Sequence, residues 1–422
     1  MARSAEHSQP HSSLDPPVTS PIFARLRALL GTSGVDRDAR GLARASPDSS
    51  DALSLVCRLA HEEGWKIRVE GRGTWLAPDA PADLVVSTRA LEQIVSVSPA
   101  DLVATVQAGA SLEALRRRLA DYGMWLAVDP PGRPERSIGS VIATATAGPL
   151  RHGFGPVRDH VLGCTVATGD GRLVNAGGRV VKNVAGYDLT KLQVGGFGGF
   201  GIISDVHLRL RALPRADVTL LARGPRDVLT SAARELVSVH LLPSALELLS
   251  PALAAESEWV LAARFLGTDA AVQGDVRRLG SVGEQKWEPL PADRTAAFWS
   301  VAARGSLGGP ITLRLGVLGD GVDEAIDLLA HDLDEGLVSA GAGLGMIRWT
   351  GDAPIDQLRS LRRSAAAREI PMTLERAPWP VRRALGHFGA YREGVGQIVG
   401  RLRDTFDPGQ CLNVALEGVD NV

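Results

Sequence analysis

The sequence predicts an α+β protein of two lobes, and three observations carry that prediction. Between Asn175 and Ile203, glycine occupies positions 177, 178, 186, 195, 196, 198, 199 and 201, set among Val, Leu, Phe and Ile. A helix does not hold that density, because each interior Gly costs about 1 kcal/mol relative to Ala. The pattern describes backbone lying close against something flat, a ligand or another strand. Upstream, between 45 and 213, short strand patterns outnumber helical ones. Downstream of Leu213-Pro214, strand and helix patterns alternate, which suggests an antiparallel sheet covered on one face.

A chain of 422 residues has room for two domains. Its net charge of −2 argues against a nucleic-acid partner, which would require a basic face. Cys57, Cys164 and Cys411 are far apart and no C-x-x-C occurs, so neither an iron–sulfur cluster nor a structural zinc is expected. That cysteine usage predicts a reduced, cytoplasmic setting. No run of 18 apolar residues occurs, so no transmembrane span is expected. Residues 1–44 read as a tail: a Ser-, Pro- and His-rich disordered stretch to about 21, then one short amphipathic helix over Ile22–Leu30.

In the first lobe, Ser50 and Asp51 offer an N-cap to a helix with Leu53, Val56, Cys57 and Leu59 on one face, stopped by Gly64. Trp65–Val69 alternates as a strand and runs into Glu70-Gly71-Arg72-Gly73-Thr74. Such a glycine turn is either an anion-binding nest of N–H groups or an ordinary hairpin turn. Leu84–Ser87, Ile94–Val97 and Leu102–Ala108 read as strands; Ser111 caps a helix carrying Leu112, Leu115 and Leu119. No G-x-G-x-x-G opens a helix after a strand, so a Rossmann site is unsupported. After Asp129-Pro130-Pro131, the run 137–148 holds almost no side-chain bulk and ends at Arg151, His152 and Gly153. It serves either a flat ring or a tight helix crossing. Val161–Thr168 and Arg172–Val174 form a hairpin across Gly169-Asp170-Gly171, and Asp188–Leu192 has room for one short helix.

In the second lobe, strands are expected at Trp259–Leu266, Ile311–Val317, Leu344–Trp349 and Met372–Arg376. Helices are expected after Thr268 (Val272, Val276, Leu279) and over Asp323–Leu333 and Ile355–Ala367. Arg264, Arg304, Arg314 and Arg348 are candidates for holding a substrate carboxylate. His387, alone between glycine and phenylalanine, is read as a packing residue ahead of a catalytic one.

Several of these stretches together resemble the FAD-binding domain of the vanillyl-alcohol oxidase/p-cresol methylhydroxylase (PCMH) family, and within it the FAD-binding subunits (GlcE) of bacterial glycolate oxidases. The resemblance rests on G-R-G-T at 71–74, Ala108-Gly109-Ala110-Ser111-Leu112, Asp129-Pro130 and Ser137-Ile138-Gly139. It rests also on V-K-N-V-A-G-Y-D-L at 181–189, the glycines of 196–203, and Phe406-Asp407-Pro408-Gly409-Gln410-Cys411-Leu412-Asn413. It implies a two-subdomain PCMH-type FAD-binding fold over 45–213 and a ferredoxin-like α+β cap over 214–422.

The resemblance also implies residue roles. Gly71, Arg72, Gly73, Thr74 and Trp75 hold the pyrophosphate, and Ile138, Gly139 and Ser140 form a second covering loop. Thr144, Gly148 and Arg151 lie nearer the isoalloxazine, and Gly201 with the backbone of Ile203 meets adenine. Asn183 and Asp188 line the space below the cap, with Lys182 and Tyr187 as catalytic candidates. No His stands in 71–74, so the FAD is expected to be non-covalent. Ser140, Ala145 and Gly198-Gly199 depart from the family, where Gly, Asn and a Glu-Gly or Gly-Thr pair are common.

The function so implied is the FAD-binding subunit of a glycolate or D-lactate dehydrogenase complex. Its partners would be a second flavoprotein subunit and an iron–sulfur subunit, through which it would reach the inner face of the membrane. The alternatives are a self-sufficient 2-hydroxy acid dehydrogenase and a non-catalytic flavin-fold scaffold.

Overall fold

The computed structural model describes residues 21–76, 79–179, 188–304, 308–333, 336–343, 345–389 and 393–413. The first lobe is built on two sheets. One has four strands in the order Val35–Arg37, Ala43–Ala45, Leu84–Ser87, Ile67–Glu70; the last three run parallel. Its central strand buries Leu84, Val85 and Val86 alike, as a parallel strand covered on both faces must. Helix Ser50–Glu63 packs here through Leu53, Val56, Cys57 and Ala60. Its cap is Ser49, one residue earlier than expected, and it ends at Gly64 in the left-handed region.

The other sheet is antiparallel, in the order Ile94–Ser98, Val103–Gln107, Ile202–Arg209, Val161–Ala167, Leu173–Gly177. Helix Leu112–Ala120, capped by Ser111, covers it with Leu115 and Leu119. The small-residue run at 137–148 resolves into a helix over Ile138–Thr144, capped by Ser137. It crosses the end of strand Val103–Gln107 closely, where Gly139 N donates to Ala108 O at 2.7 Å.

Two expected boundaries move. Residues 21–44 are part of the first lobe and not a tail. Helix Pro21–Leu30 buries Phe23 and Leu26, and position 45 falls inside a paired strand. The far end of the chain also returns to this lobe. Ile67 N donates to Cys411 O (2.7 Å) and Asn413 N to Ile67 O (3.0 Å), while Asp407 accepts from Cys411 N and Leu412 N. The Asp407-Pro408-Gly409 motif is therefore a turn that adds a short edge beside Ile67.

The second lobe has one antiparallel sheet of eight strands. Its order is Glu288–Pro289, Ala216–Gly224, Trp259–Gly267, Ala245–Leu249, Leu337–Gly341, Met346–Gly351, Ile311–Gly316, Met372–Arg376. Chain order resolves it into two βαββαβ units, each with the strand order 4-1-3-2 of a ferredoxin-like fold. Their helices are Arg226–Ser238 with Asp269–Leu279, and Val322–Asp332 with Ile355–Ala367. The expected ferredoxin-like cap is thus present twice, and the two copies join through their second strands at Glu247–Gly341 and Leu249–Ser339. Leu246, Leu248, Leu313, Leu315, Ile347 and Trp349 point to the helices and form the core. By the period-2 alternation of strands, Glu247, Arg314, Arg348 and Glu375 share the opposite face.

Leu26 is fully buried against the helix and strands of the first lobe. Leu26→Ala is expected to lower stability by about 2–5 kcal/mol in denaturant unfolding. A shift of a few tenths would mean that residues 21–44 are a dispensable appendage.

Candidate functional site

A cleft runs along the first lobe and ends under the second. One wall is the turn after strand Ile67–Glu70, including Gly71, Arg72, Gly73, Thr74 and Trp75. A second wall is helix Ile138–Thr144, through Gly139, Ser140, Ala143 and Thr144. A third is Phe197, Gly198, Gly201, Ile202 and Ile203, at the start of strand Ile202–Arg209. Asn413, Arg382 and His387 complete it. The three small-residue segments therefore share one cavity.

The turn is held from outside and left free within. Arg72 Nε donates to Gly109 O (2.9 Å), Arg72 Nη2 pairs with Glu92, and Ser87 Oγ donates to Gly71 O (3.0 Å). Among the described residues, the backbone N–H groups of Arg72, Gly73, Thr74 and Trp75 meet no acceptor. Gly73 has φ +65°, a conformation that side chains strain. Successive free N–H groups around such a residue form an anion nest. The second wall differs. Ile138 N and Gly139 N already donate to Ala110 O and Ala108 O, and Ser140 N to Ser137 Oγ. Helix Ile138–Thr144 therefore offers a smooth small-residue face, with few free donors. A Cβ on Gly139 would stand 2.7 Å from the Ala108 Cβ, so the helix lies as close as glycine permits.

Of the expected site residues, Gly71 to Trp75, Gly139, Ser140, Thr144, Gly201 and Ile203 line the cleft. The Ile138 side chain does not; it is buried in the core of the antiparallel sheet. Gly148 packs against Asp129, away from the cleft wall. Arg151 turns to the second lobe and donates to Met346 Sδ. Asp188 is exposed and pairs with Lys191 at 3.1 Å. Lys182, Asn183 and Tyr187 lie outside the described residues. Of the four arginines considered for a carboxylate, Arg264 is held bidentately by Asp217 and Arg348 by Glu375, with Arg314 at 3.5 Å from the same Glu375. The side chain of Arg304 lies outside what is described.

Sequence reasoning missed three contributors. Arg136 is fully buried beneath helix Ile138–Thr144. It donates to Pro131 O (2.8 Å) and Thr144 Oγ1 (2.6 Å), with its guanidinium 4.3 Å from the Trp75 ring centroid. Nothing in local pattern marks it. Phe197 stacks on His387 at 4.7 Å. His387, read as packing, is buried and also lines the cleft. Its Nδ1 lies 2.8 Å from Leu374 O; a carbonyl only accepts, so Nδ1 carries the proton and Nε2 keeps its lone pair. An anion fits these walls: free N–H donors for charged oxygens, a flat slot, and the Trp75 indole N–H buried without a partner among the described residues.

Burial pushes the His387 imidazole down to about 4. The unfolded chain then binds one more proton than the fold between about pH 4 and 6.5. Stability is expected to fall as pH drops through that window, by on the order of 3 kcal/mol at its acid end from this residue. His387→Gln should flatten that slope in denaturant unfolding followed from pH 7 to pH 4. An unchanged slope would mean that the ring is not held neutral.

Residues 42–177 match the family model described as FAD binding domain. The glycolate oxidase subunit GlcE of Escherichia coli is 39% identical over 128 residues, which is 30% of this chain and 37% of that protein. The glycolate oxidase subunit GlcD of Bacillus subtilis is 30% identical over 208 residues, 48% of this chain and 44% of that one. The D-lactate dehydrogenase of Archaeoglobus fulgidus is 32% identical over 217 residues, 50% and 48% of the two chains. The chain thus matches less than half the length of each of these curated relatives. Among solved structures, an alkyldihydroxyacetonephosphate synthase superposes with a TM-score of 0.71, covering 94% of this chain and 85% of its own. At 14% identity that likeness speaks for the fold alone. Residues 42–177 thus resemble an FAD-binding domain, and FAD is the cofactor that this match supports.

Proposed function

We propose that this chain is the FAD-binding subunit of a dehydrogenase complex that oxidises small 2-hydroxy acids such as glycolate or D-lactate. The observation that carries this reading is the convergence of the turn at 71–75, the helix at 138–144 and the glycines of 198–203 on one cleft. The names of the relatives support the substrate class. When bound, FAD supplies the ring that takes up the two electrons.

The chain's own residues bind and orient. The N–H groups of Arg72 to Trp75 receive the pyrophosphate, at a turn that Arg72 fixes through Gly109 and Glu92. Gly139, Ser140 and Thr144 give the flat wall along which the cofactor lies. The main chain of Gly201 and Ile203 borders the adenine end, where Asn413 receives Val69 N (2.9 Å) and closes the cleft. Beside it His387 offers a neutral acceptor, its ring stacked on Phe197, whose carbonyl accepts from Asn413 Nδ2. Lys182 and Tyr187 are the side chains assigned to the reacting side in this reading.

Onward electron transfer falls to partner subunits. Cys57, Cys164 and Cys411 are buried on different elements, and no His, Cys, Asp and Glu group able to hold a metal occurs among the described residues. An iron–sulfur subunit and a second flavoprotein are the partners that suit such a chain.

Gly73→Asp puts bulk and negative charge at the nest. The purified variant is expected to lose at least nine-tenths of its flavin, read from the visible spectrum, while unfolding as the parent does. Retained flavin would remove the turn from the cofactor site. With the parent protein, glycolate or D-lactate should bleach the flavin band anaerobically when the partner subunits are present. Full bleaching of the isolated chain would make it self-sufficient, and no bleaching in the assembled complex would overturn the oxidoreductase role.

A further inference from the structure

The cap sheet turns one face to the first lobe, and its charges there do not balance. Arg314 and Arg348 are cross-strand partners on neighbouring strands. Both lean on a single carboxylate, Glu375, at 3.5 and 2.8 Å. Arg348 also donates to Ala147 O (3.0 Å), which fixes it against the first lobe. Met346 stands two residues before Arg348 and so on the same face. Across the joint, Arg151 reaches this face and donates to Met346 Sδ at 3.1 Å. A thioether is a weak acceptor and carries no charge. Among the described residues Arg151 has no ion pair, and its charged neighbours are Arg314, Arg158 and Arg348 with Asp159 as the one opposing acid.

A half-buried guanidinium among cations is costly unless an anion completes it. Other acids do not supply that anion. Asp159 pairs with Arg158 at 3.6 Å. Glu247 is tied to Ser339, and burial pushes its carboxyl up to about 8. Asp129 accepts from Leu150 N, and burial pushes it up to about 7. The Arg314 side chain keeps 27% of its surface exposed although it faces the joint, so solvent enters there. His152, the next residue to Arg151, has both ring nitrogens enclosed with no partner among the described residues.

We propose that Arg151 and Arg314 form a receptor for a small carboxylate at the joint between the lobes, with Arg348 and Glu375 fixing its floor. A guanidinium fork suits the paired oxygens of a carboxylate, and Arg151 and Arg314 are brought to neighbouring positions by Met346 and by the Arg314–Arg348 strand pair. The choice of carboxylate over another oxyanion rests on the function proposed above; the excess of cation does not.

The test is calorimetric titration of the full-length, flavin-loaded protein with oxalate, and separately with inorganic phosphate, at constant ionic strength. Oxalate is expected to bind at one saturable site. Arg151→Gln and Arg314→Gln should each weaken it roughly tenfold or more, the loss of a charge-assisted hydrogen bond. Arg151→Lys, which keeps the charge and loses the fork, should fall between. Arg359→Gln, on the outer helix Ile355–Ala367, should leave it unchanged. Flavin content and melting temperature are read for each variant, so that loss of the site is told from loss of the fold. No oxalate binding by the parent, or equal affinity across parent, Lys and Gln variants, would overturn the receptor. Tighter binding of phosphate than of oxalate would overturn its assignment to a carboxylate. Oxalate binding that persists in colourless protein would overturn the flavin reading and leave the receptor standing.

Discussion

The geometry of the cleft depends on one buried cation. Arg136 sits under helix Ile138–Thr144 with no exposed surface, and its fork is engaged by Pro131 O, Ser140 and Thr144. Its face is given to Trp75. The same side chain thus fixes the helix that forms one wall and the residue that ends the turn forming the other. Burial pushes its pKa down to about 9, with Glu375 opposing the fall, so it stays charged at neutral pH. A lysine would carry the charge and lose both the fork and the planar stack on indole. The distance between the two loops is therefore set by electrostatics within a dry interior, where such contacts are strong.

What was legible in the sequence was local. Glycine turns, the caps at Ser111 and Thr268, the hairpin across Gly169-Asp170-Gly171 and the alternating strands all follow from spacing within a few residues, and they stand where spacing put them. What was hidden was either long-range or masked by burial. Ala245–Leu249 is buried along its whole length, so no alternation announced the strand, and without it the doubling of the cap could not be read. Residues 21–44 looked like a polar tail because only Phe23, Leu26, Val35 and Ala43 reach the core. Arg136 and His387 gain their roles from partners far along the chain, or from neighbours whose side chains give no pattern. The cofactor itself was readable through resemblance more than through physics, since free N–H groups serve any anion.

Two of the departures from the family pattern acquire a physical meaning. Ala145 ends helix Ile138–Thr144 at φ 48°, ψ 28°. That is the left-handed region, where Asn is tolerated and Ala costs about 1–2 kcal/mol. The family's preference for Asn is then a preference of the backbone, and this chain carries strain at the edge of its cleft. Ser140, in place of a glycine, is used: its Oγ receives Arg136 Nε at 3.2 Å. Its hydroxyl thereby adds a contact to the very residue on which the wall depends.

The lobes are joined by contacts of the same kind. Arg348 reaches Ala147 O, and Arg382 and Trp379 N both reach Asp79. Each contact sets a charged group of one lobe against a main-chain or carboxylate group of the other. An apolar seam would favour any close approach, because hydrophobic burial is non-directional. Charged seams are directional: a shift that breaks one contact leaves a desolvated charge behind, at a cost of several kcal/mol. The cap is therefore held in one register over the cleft. Trp379–Leu385, the helix that contributes Arg382, is followed at once by His387. The clamp on Asp79 and the neutral imidazole lining the cleft therefore belong to one short segment, and the seat of the second lobe over the cleft is fixed by an ion pair at its rim.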